Sequence, residues 1–200
     1  MKLTEINVAH MTTDKANGMT DSTVWQAQTQ QRLFRLLLDA FAYPGRLFDA
    51  TGSGTTARLA ILATLLDAEV DLADPHKLVA REDWLRLMAA AAAPEQARFI
   101  VADAARTPDF TPAPGSLESP EFGATLVLEV RQLGAGKPLL LTGPGIASQT
   151  RLAVQGLHPA WIEQRAEWVS AYPLGADIIL CDARSFAALP RTTQIVWEEG

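Results

Sequence analysis

Three short stretches of the 200-residue chain combine residue types that could hold a ligand. Thr142-Gly143-Pro144-Gly145-Ile146 sets two glycines at the expected end of a strand, a place where α/β folds often carry function. Pro190-Arg191-Thr192-Thr193 joins a guanidinium to hydroxyls, a set suited to phosphate. Gly52-Ser53-Gly54-Thr55-Thr56 precedes an apolar helical pattern, and the free N–H groups of a helix start attract anions. Each stretch also has a plainer account. Turn geometry explains Gly143 and Gly145, and a surface salt bridge or subunit contact explains Arg191. The third stretch lacks the lysine and spacing of a phosphate-binding loop. Gly143, Gly145, Arg191 and Thr192 are therefore candidate ligand or interface residues, and no residue is assigned to catalysis.

No nucleophile paired with a base stands out. The Gly-x-Ser-x-Gly elbow is absent. Cys181, the single cysteine, sits inside an apolar run and reads as a small buried hydrophobe. Asp39, Asp67 and Asp177 fall near element ends, where caps or ion pairs account for them. Lys77 and Lys137 lie in a polar loop and beside a turn, without the apolar setting that activates an amine for Schiff-base chemistry. One cysteine and the scattered His10, His76 and His158 offer no zinc cluster. The expectation is a chain without cofactor or metal.

Composition narrows the class. The chain is 48% hydrophobic and 20% charged, with net charge −6. Lys and Arg form no stripe, which argues against nucleic acid and against polybasic membrane anchoring. No apolar run reaches the roughly 18 residues of a membrane span. Residues 1–21 lack the apolar core of a signal peptide, so a cytoplasmic chain is expected.

The elements that must position these residues follow from periodicity. A first helix is expected from about Ser22 to Tyr43, where apolar residues from Val24 to Phe41 recur at helical spacing, with Asp21, Ser22 or Thr23 as cap. Tyr43-Pro44-Gly45 stops this helix. A second helix is expected over Arg58–Leu66 and a third over Glu82–Ala92. Short strands are expected at Val70–Leu72 and Phe99–Ala102. Four prolines predict a loop from Thr107 to Glu121. The alternation over Ala124–Arg131 predicts a strand that turns at Leu133-Gly134-Ala135-Gly136 into Leu139–Thr142 as an antiparallel hairpin. A helix over Pro159–Ala171 and strands over Asp177–Cys181 and Thr193–Trp197 complete the pattern. Residues 1–20 read as a flexible arm and 21–200 as one α/β domain, a layered α/β/α sandwich with a mixed sheet.

Several segments together resemble one family. They are Phe34-Arg35-Leu36-Leu37 with Ala40-Phe41-Ala42-Tyr43-Pro44-Gly45, Leu65-Leu66-Asp67, Glu121-Phe122-Gly123-Ala124-Thr125-Leu126, Leu141-Thr142-Gly143-Pro144-Gly145-Ile146, Tyr172-Pro173-Leu174-Gly175-Ala176-Asp177 and Leu189-Pro190-Arg191-Thr192-Thr193. In this order they resemble the PhnH subunit family of the carbon–phosphorus lyase core complex, over about residues 25–195. One departure follows Trp84-Leu85-Arg86-Leu87, where Met88 and the run Ala89–Ala93 replace an expected His-Thr turn. The resemblance implies a fold similar to the large domain of pyridoxal-phosphate transferases, without the pyridoxal lysine. It implies a non-catalytic or accessory subunit supporting transfer of ribose 5-triphosphate from ATP to an alkylphosphonate. The implied partners are the other core subunits, including a radical iron–sulfur subunit, and the isolated chain is expected to be a homodimer. Trp25, Trp84, Trp161, Trp168 and Trp197 add large aromatic surfaces that suit such contacts. The alternatives are a stand-alone phosphonate- or nucleotide-binding module and a small-molecule transferase.

Overall fold

Residues 23–198 are described by a computed structural model, so the arm expected over residues 1–20 lies outside the described residues. In chain order the first half holds α1 (Ala27–Ala42), β1 (Phe48–Asp49), α2 (Ala57–Leu65), β2 (Asp71–Ala73), α3 (Arg81–Leu87), β3 (Ala90–Ala91) and β4 (Phe99–Asp103). The second half holds β5 (Thr125–Glu129), β6 (Gln132–Thr142), β7 (Thr150–Gln155), α4 (Ala160–Trp168), β8 (Asp177–Cys181), β9 (Ser185–Leu189) and β10 (Gln194–Trp197).

Among these residues the larger sheet has seven strands in the order β1-β9-β8-β5-β4-β2-β3. The run from β3 to β8 is parallel, and β9 and β1 add antiparallel pairs. The chain is thus α/β with a mixed sheet, as expected. Its central strands are apolar on both faces, because both faces are covered. On β5, Val127 faces α1, α2 and α3 together with Val101, Ile179 and Cys181. Leu126 and Leu128 face the other way, toward Leu139, Leu141, Leu152 and Trp161. The second face is therefore covered by α4 and by a three-stranded antiparallel sheet, β10-β6-β7. A β layer shares the position where helices alone were expected.

α1 forms because Leu33, Leu37 and Ala40 share one buried stripe. It ends where Pro44 forces Tyr43 out of helical geometry. α2 is apolar nearly all round and packs against α1 in the core on this face of the sheet, so Ala57, Ala60, Ile61 and Leu62 are all buried. Its cap is Thr56, whose hydroxyl accepts from the Leu59 N–H at 3.3 Å. The Arg58 guanidinium pairs with Glu129 at the end of β5 and donates to the Leu78 carbonyl at 2.9 Å, tying α2 to the sheet.

Four local expectations are corrected. The helix expected from Ser22 begins at Ala27, after a 3-10 turn over Thr23–Trp25. Gln26 stands at its cap without a side-chain bond, and the Thr23 hydroxyl donates to the Gly52 carbonyl instead. The helix expected over Glu82–Ala92 ends at Leu87, with Met88 at φ 58. Ala90 and Ala91 pair with β2, so sheet formation overrides the helical preference of the alanine run. The hairpin expected from Ala124–Arg131 to Leu139–Thr142 does not form. β5 lies between β4 and β8, and β6 crosses into the smaller sheet, where its hairpin partner is β7. Gly134 and Gly136, expected to turn the chain, mark a register shift inside β6 between Leu133 and Lys137. β7 and β9 had no separate sequence signal in the expected pattern.

Tyr43-Pro44-Gly45 positions the next element as well as ending α1. Gly45 has φ +80 and donates its N–H to the Ala188 carbonyl on β9 at 3.3 Å. A Cβ there would run into Leu141 and come within 3.1 Å of the Thr150 methyl. Replacement of Gly45 by Val combines a disfavoured backbone with a collision against the smaller sheet. A loss of about 1–3 kcal/mol is expected in urea unfolding; an unchanged midpoint would show that this junction bears no strain.

Candidate functional site

The motifs at Glu121–Leu126, Tyr172–Asp177 and Leu189–Thr193 converge on one side chain. The antiparallel register of β8 and β9 sets Ile178 opposite Leu189. Asp177, which opens β8, therefore lies beside the residues that follow β9. The Arg191 N–H donates to Asp177 Oδ1 at 2.7 Å, and Arg191 Nη2 donates to Asp177 Oδ2 at 2.7 Å. Nε adds longer contacts of 3.3 and 3.2 Å to both oxygens. Nη1 turns to two other loops, donating to the Pro120 carbonyl at 2.8 Å and the Pro173 carbonyl at 3.2 Å. Such a planar fork serves several acceptors at once, which an ammonium does not. The pair is largely enclosed, with side-chain exposures of 13% and 18%.

Glycine makes room for this arrangement. A Cβ on Gly123 would lie 2.9 Å from Arg191 Nη1 and 3.0 Å from Nη2, and would strike the Gly175 carbonyl. Gly175 itself has φ +136 and donates its N–H to the Pro114 carbonyl at 2.9 Å.

Two further arginines border the same carboxylate. Arg98, just before β4, donates to the carbonyls of Glu121 and Gly123, while its own N–H goes to Asp71. Burial, and then the nearby Arg191 charge, lower its pKa, against the pull of Asp177, Glu121 and Asp71. Arg165 of α4 is buried and donates from Nη2 to the Pro190 carbonyl at 2.6 Å. Burial pushes its pKa down to about 10, with Asp177 opposing, so it stays charged at neutral pH. Arg165 Nε and the buried Thr193 hydroxyl have no hydrogen-bond partner among the described residues. The cluster can hold loops and carry positive charge. The carboxylate at its centre, Asp177, is occupied by Arg191, and among the described residues the cluster presents no base paired with a nucleophile. Cys181 is no substitute: it is fully buried, and burial pushes its thiol far up.

The four candidate residues take different places in the fold. Arg191 is turned inward to Asp177, so its guanidinium is committed to the protein's own acceptors. Thr192 is half-buried, and a Cβ on Gly143 (φ +131) would lie 2.9 Å from the Thr192 carbonyl. Gly143 thus allows β6 to pass close to the link between β9 and β10. Gly145 (φ +81) abuts the Ala42 carbonyl, and a Cβ there would approach Pro44 Cδ to 2.9 Å. It lines a groove of about 390 Å³ with Tyr43, Pro44, Arg46 and Ile146. The Gly52–Thr56 stretch builds a helix cap, and the Ala57 N–H already donates to the Ala183 carbonyl.

Sequence reasoning placed Asp177 near an element end but did not join it to Arg191, and it did not single out Arg98 or Arg165. The contacts that unite them bridge 14 to 71 residues along the chain, so no local spacing reveals them.

The sequence matches the family described as "Bacterial phosphonate metabolism protein (PhnH)" over residues 22–196. It is 45% identical over 172 residues to the putative C-P lyase subunit protein HtxG of Stutzerimonas stutzeri, covering 86% of this chain and 88% of that protein. It is 31% identical over 194 residues to the alpha-D-ribose 1-methylphosphonate 5-triphosphate synthase subunit PhnH of Rhizobium meliloti (strain 1021), covering 90% and 94%.

As an architectural fork, Arg191 predicts that Arg191→Ala destabilises the protein by about 3 kcal/mol, because the change strands the enclosed Asp177 charge and takes a donor from the Pro120 and Pro173 carbonyls. Arg191→Lys should fall between, since it keeps the charge and loses the fork. Urea unfolding reads both; an Arg191→Ala loss below about 0.5 kcal/mol, typical of an exposed pair, would contradict the assignment.

Proposed function

The chain belongs to the family of bacterial phosphonate metabolism proteins called PhnH, and on that footing we propose that it is an accessory, non-catalytic subunit of a carbon–phosphorus lyase complex. In this reading it supports the transfer of ribose 5-triphosphate to an alkylphosphonate, performed by the assembly. The observation that carries the reading is similarity, over 86% and 90% of this chain, to proteins named as subunits. The geometry of the site supports a contact role, because the motif residues position loops.

Its partners in this proposal are sister subunits, among them the radical iron–sulfur subunit, and the isolated chain pairs with itself. Its place is the cytoplasm. No helix among the described residues is long and apolar enough to cross a membrane. The described residues 23–198 act as one domain, and the layering is akin to the large domain of pyridoxal-phosphate transferases. Gly143, Gly145, Arg191 and Thr192 shape contact surfaces in this account and hold no ligand. Support for a contact role comes from α1, which leaves Phe34, Leu38, Tyr43 and Leu47 exposed along and just beyond one side. Apolar exposure of this kind marks association surfaces.

Reconstitution tests the proposal. The purified chain should turn over no methylphosphonate with ATP, should comigrate with the sister subunits, and should restore synthase activity to a preparation lacking it. Light scattering of the chain alone should give twice the 21.6 kDa of one copy. Turnover by the repurified chain alone would instead make it a small-molecule transferase.

A further inference from the structure

β3 forms one margin of the larger sheet and pairs on one side, with β2. Ala90 and Ala92 donate their N–H groups to Val70 and Leu72. Along a strand these groups alternate in direction, so the N–H and C=O of Ala91 point away from the sheet. Edges of this kind are normally kept very short or guarded by lysine, proline or a bulge, and β3 has the short length of two residues without the other guards. Here Ala90 and Ala91 are both exposed and uncharged, and Pro94 comes only after the strand has ended.

A groove of about 600 Å³ runs beside this edge, and Ala91 belongs to both. Its walls are apolar, from Leu72, Val79, Trp84 and Leu85. Leu85 is 73% exposed, and the neighbouring Met88, held at φ 58, is 65% exposed. Two exposed cations, Lys77 and Arg81, also line the groove. Neither side chain has an ion pair or hydrogen bond among the described residues. Asp74, the carboxylate in the lining, is already occupied: its two oxygens accept the N–H groups of Leu78 and Val79 at 2.9 and 2.8 Å. Glu82 and Asp83 stand in the first turn of α3 but do not line the groove.

We infer that β3 and this groove receive an extended segment of a partner polypeptide, which adds a strand at Ala91, sets an apolar side chain against Trp84 and Leu85, and brings a carboxylate to Lys77 and Arg81. Strand addition of this type takes its affinity from main-chain bonds and its selectivity from side-chain pockets. The open main-chain pair at Ala91 calls for an extended backbone, and the unpaired cations call for an acidic one. The inference rests on the reading of the chain as a subunit, and it identifies the surface and the chemistry of the contact.

The test uses the full chain mixed with the sister subunits, with assembly read by size exclusion and light scattering. Ala91→Pro removes the outward N–H and leaves the bonds from Ala90 and Ala92 to β2 in place. The double variant Lys77→Glu/Arg81→Glu reverses the charge at the groove. Both should retain the thermal midpoint of the parent chain and lower its share in the assembly at least tenfold at equal concentration. An acidic, apolar partner contact also predicts that 0.5 M salt weakens the parent assembly more than that of the charge-reversed variant. Parent assembly with undiminished assembly of both folded variants would overturn the inference alone. Loss of self-pairing in the variants, with entry into the complex intact, would assign the groove to a second copy and also overturn it. A parent chain that fails to join the sister subunits would overturn the subunit reading and this inference with it.

Discussion

The guanidinium of Arg191 joins three parts of the chain that lie 14 to 71 residues away from it in sequence. It fastens the start of β8 through Asp177, the turn at Pro120 and the loop at Pro173. These loops close one end of the parallel strands, where β4, β5 and β8 begin. An enclosed ion pair is not by itself a source of net stability, because both charges lose water. Its value here is geometric. A planar donor with acceptors in three directions admits one arrangement of the loops, and Gly123 and Gly175 are small enough to permit it.

The opposite end of the sheet is organised by a second cation. Arg58 reaches from the first turn of α2 to Glu129 at the end of β5 and to the Leu78 carbonyl. Helices on one face are thus pinned at one end of the strands, and the loops at the other end are pinned by Arg191. Between these two pairs the sheet is apolar on both faces. The molecule devotes its buried charge to holding its shape and leaves Phe34 and Leu38 of α1 and its open edge at β3 to the outside. That distribution suits a protein whose work is contact.

Much of the element order was legible in sequence, for reasons that differ between elements. α1 has a clear apolar stripe and a proline stop, and β8 is a short apolar run between turn residues, so local patterns sufficed. The alternation at Ala124–Arg131 correctly marked a strand but misled on its partner. A strand apolar on both faces belongs at the centre of a covered sheet, and β5 has such a pattern: Leu126, Val127 and Leu128 are all fully buried. The alanine run after Leu87 carries strong helical preference, and only the long-range pairing with β2 makes it a strand. The site was legible as a set of motifs and not as an arrangement. Arg191 and Asp177 were each noticed, yet their union depends on the β8–β9 register. The places of Gly143 and Gly145 depend on a β6–β7 hairpin that the expected topology did not contain.

Hydrogen exchange in Arg191→Lys tests the central role of this side chain most directly. The N–H of Gly123 donates to Pro120, and that of Gly175 to Pro114, so both report on loops that Arg191 holds. Loss of the fork should speed exchange at these two amides by roughly tenfold or more while the central amides of β4 and β5 keep their protection, the mark of local opening. Equal protection of Gly123 and Gly175 in the variant and the parent chain would contradict the account.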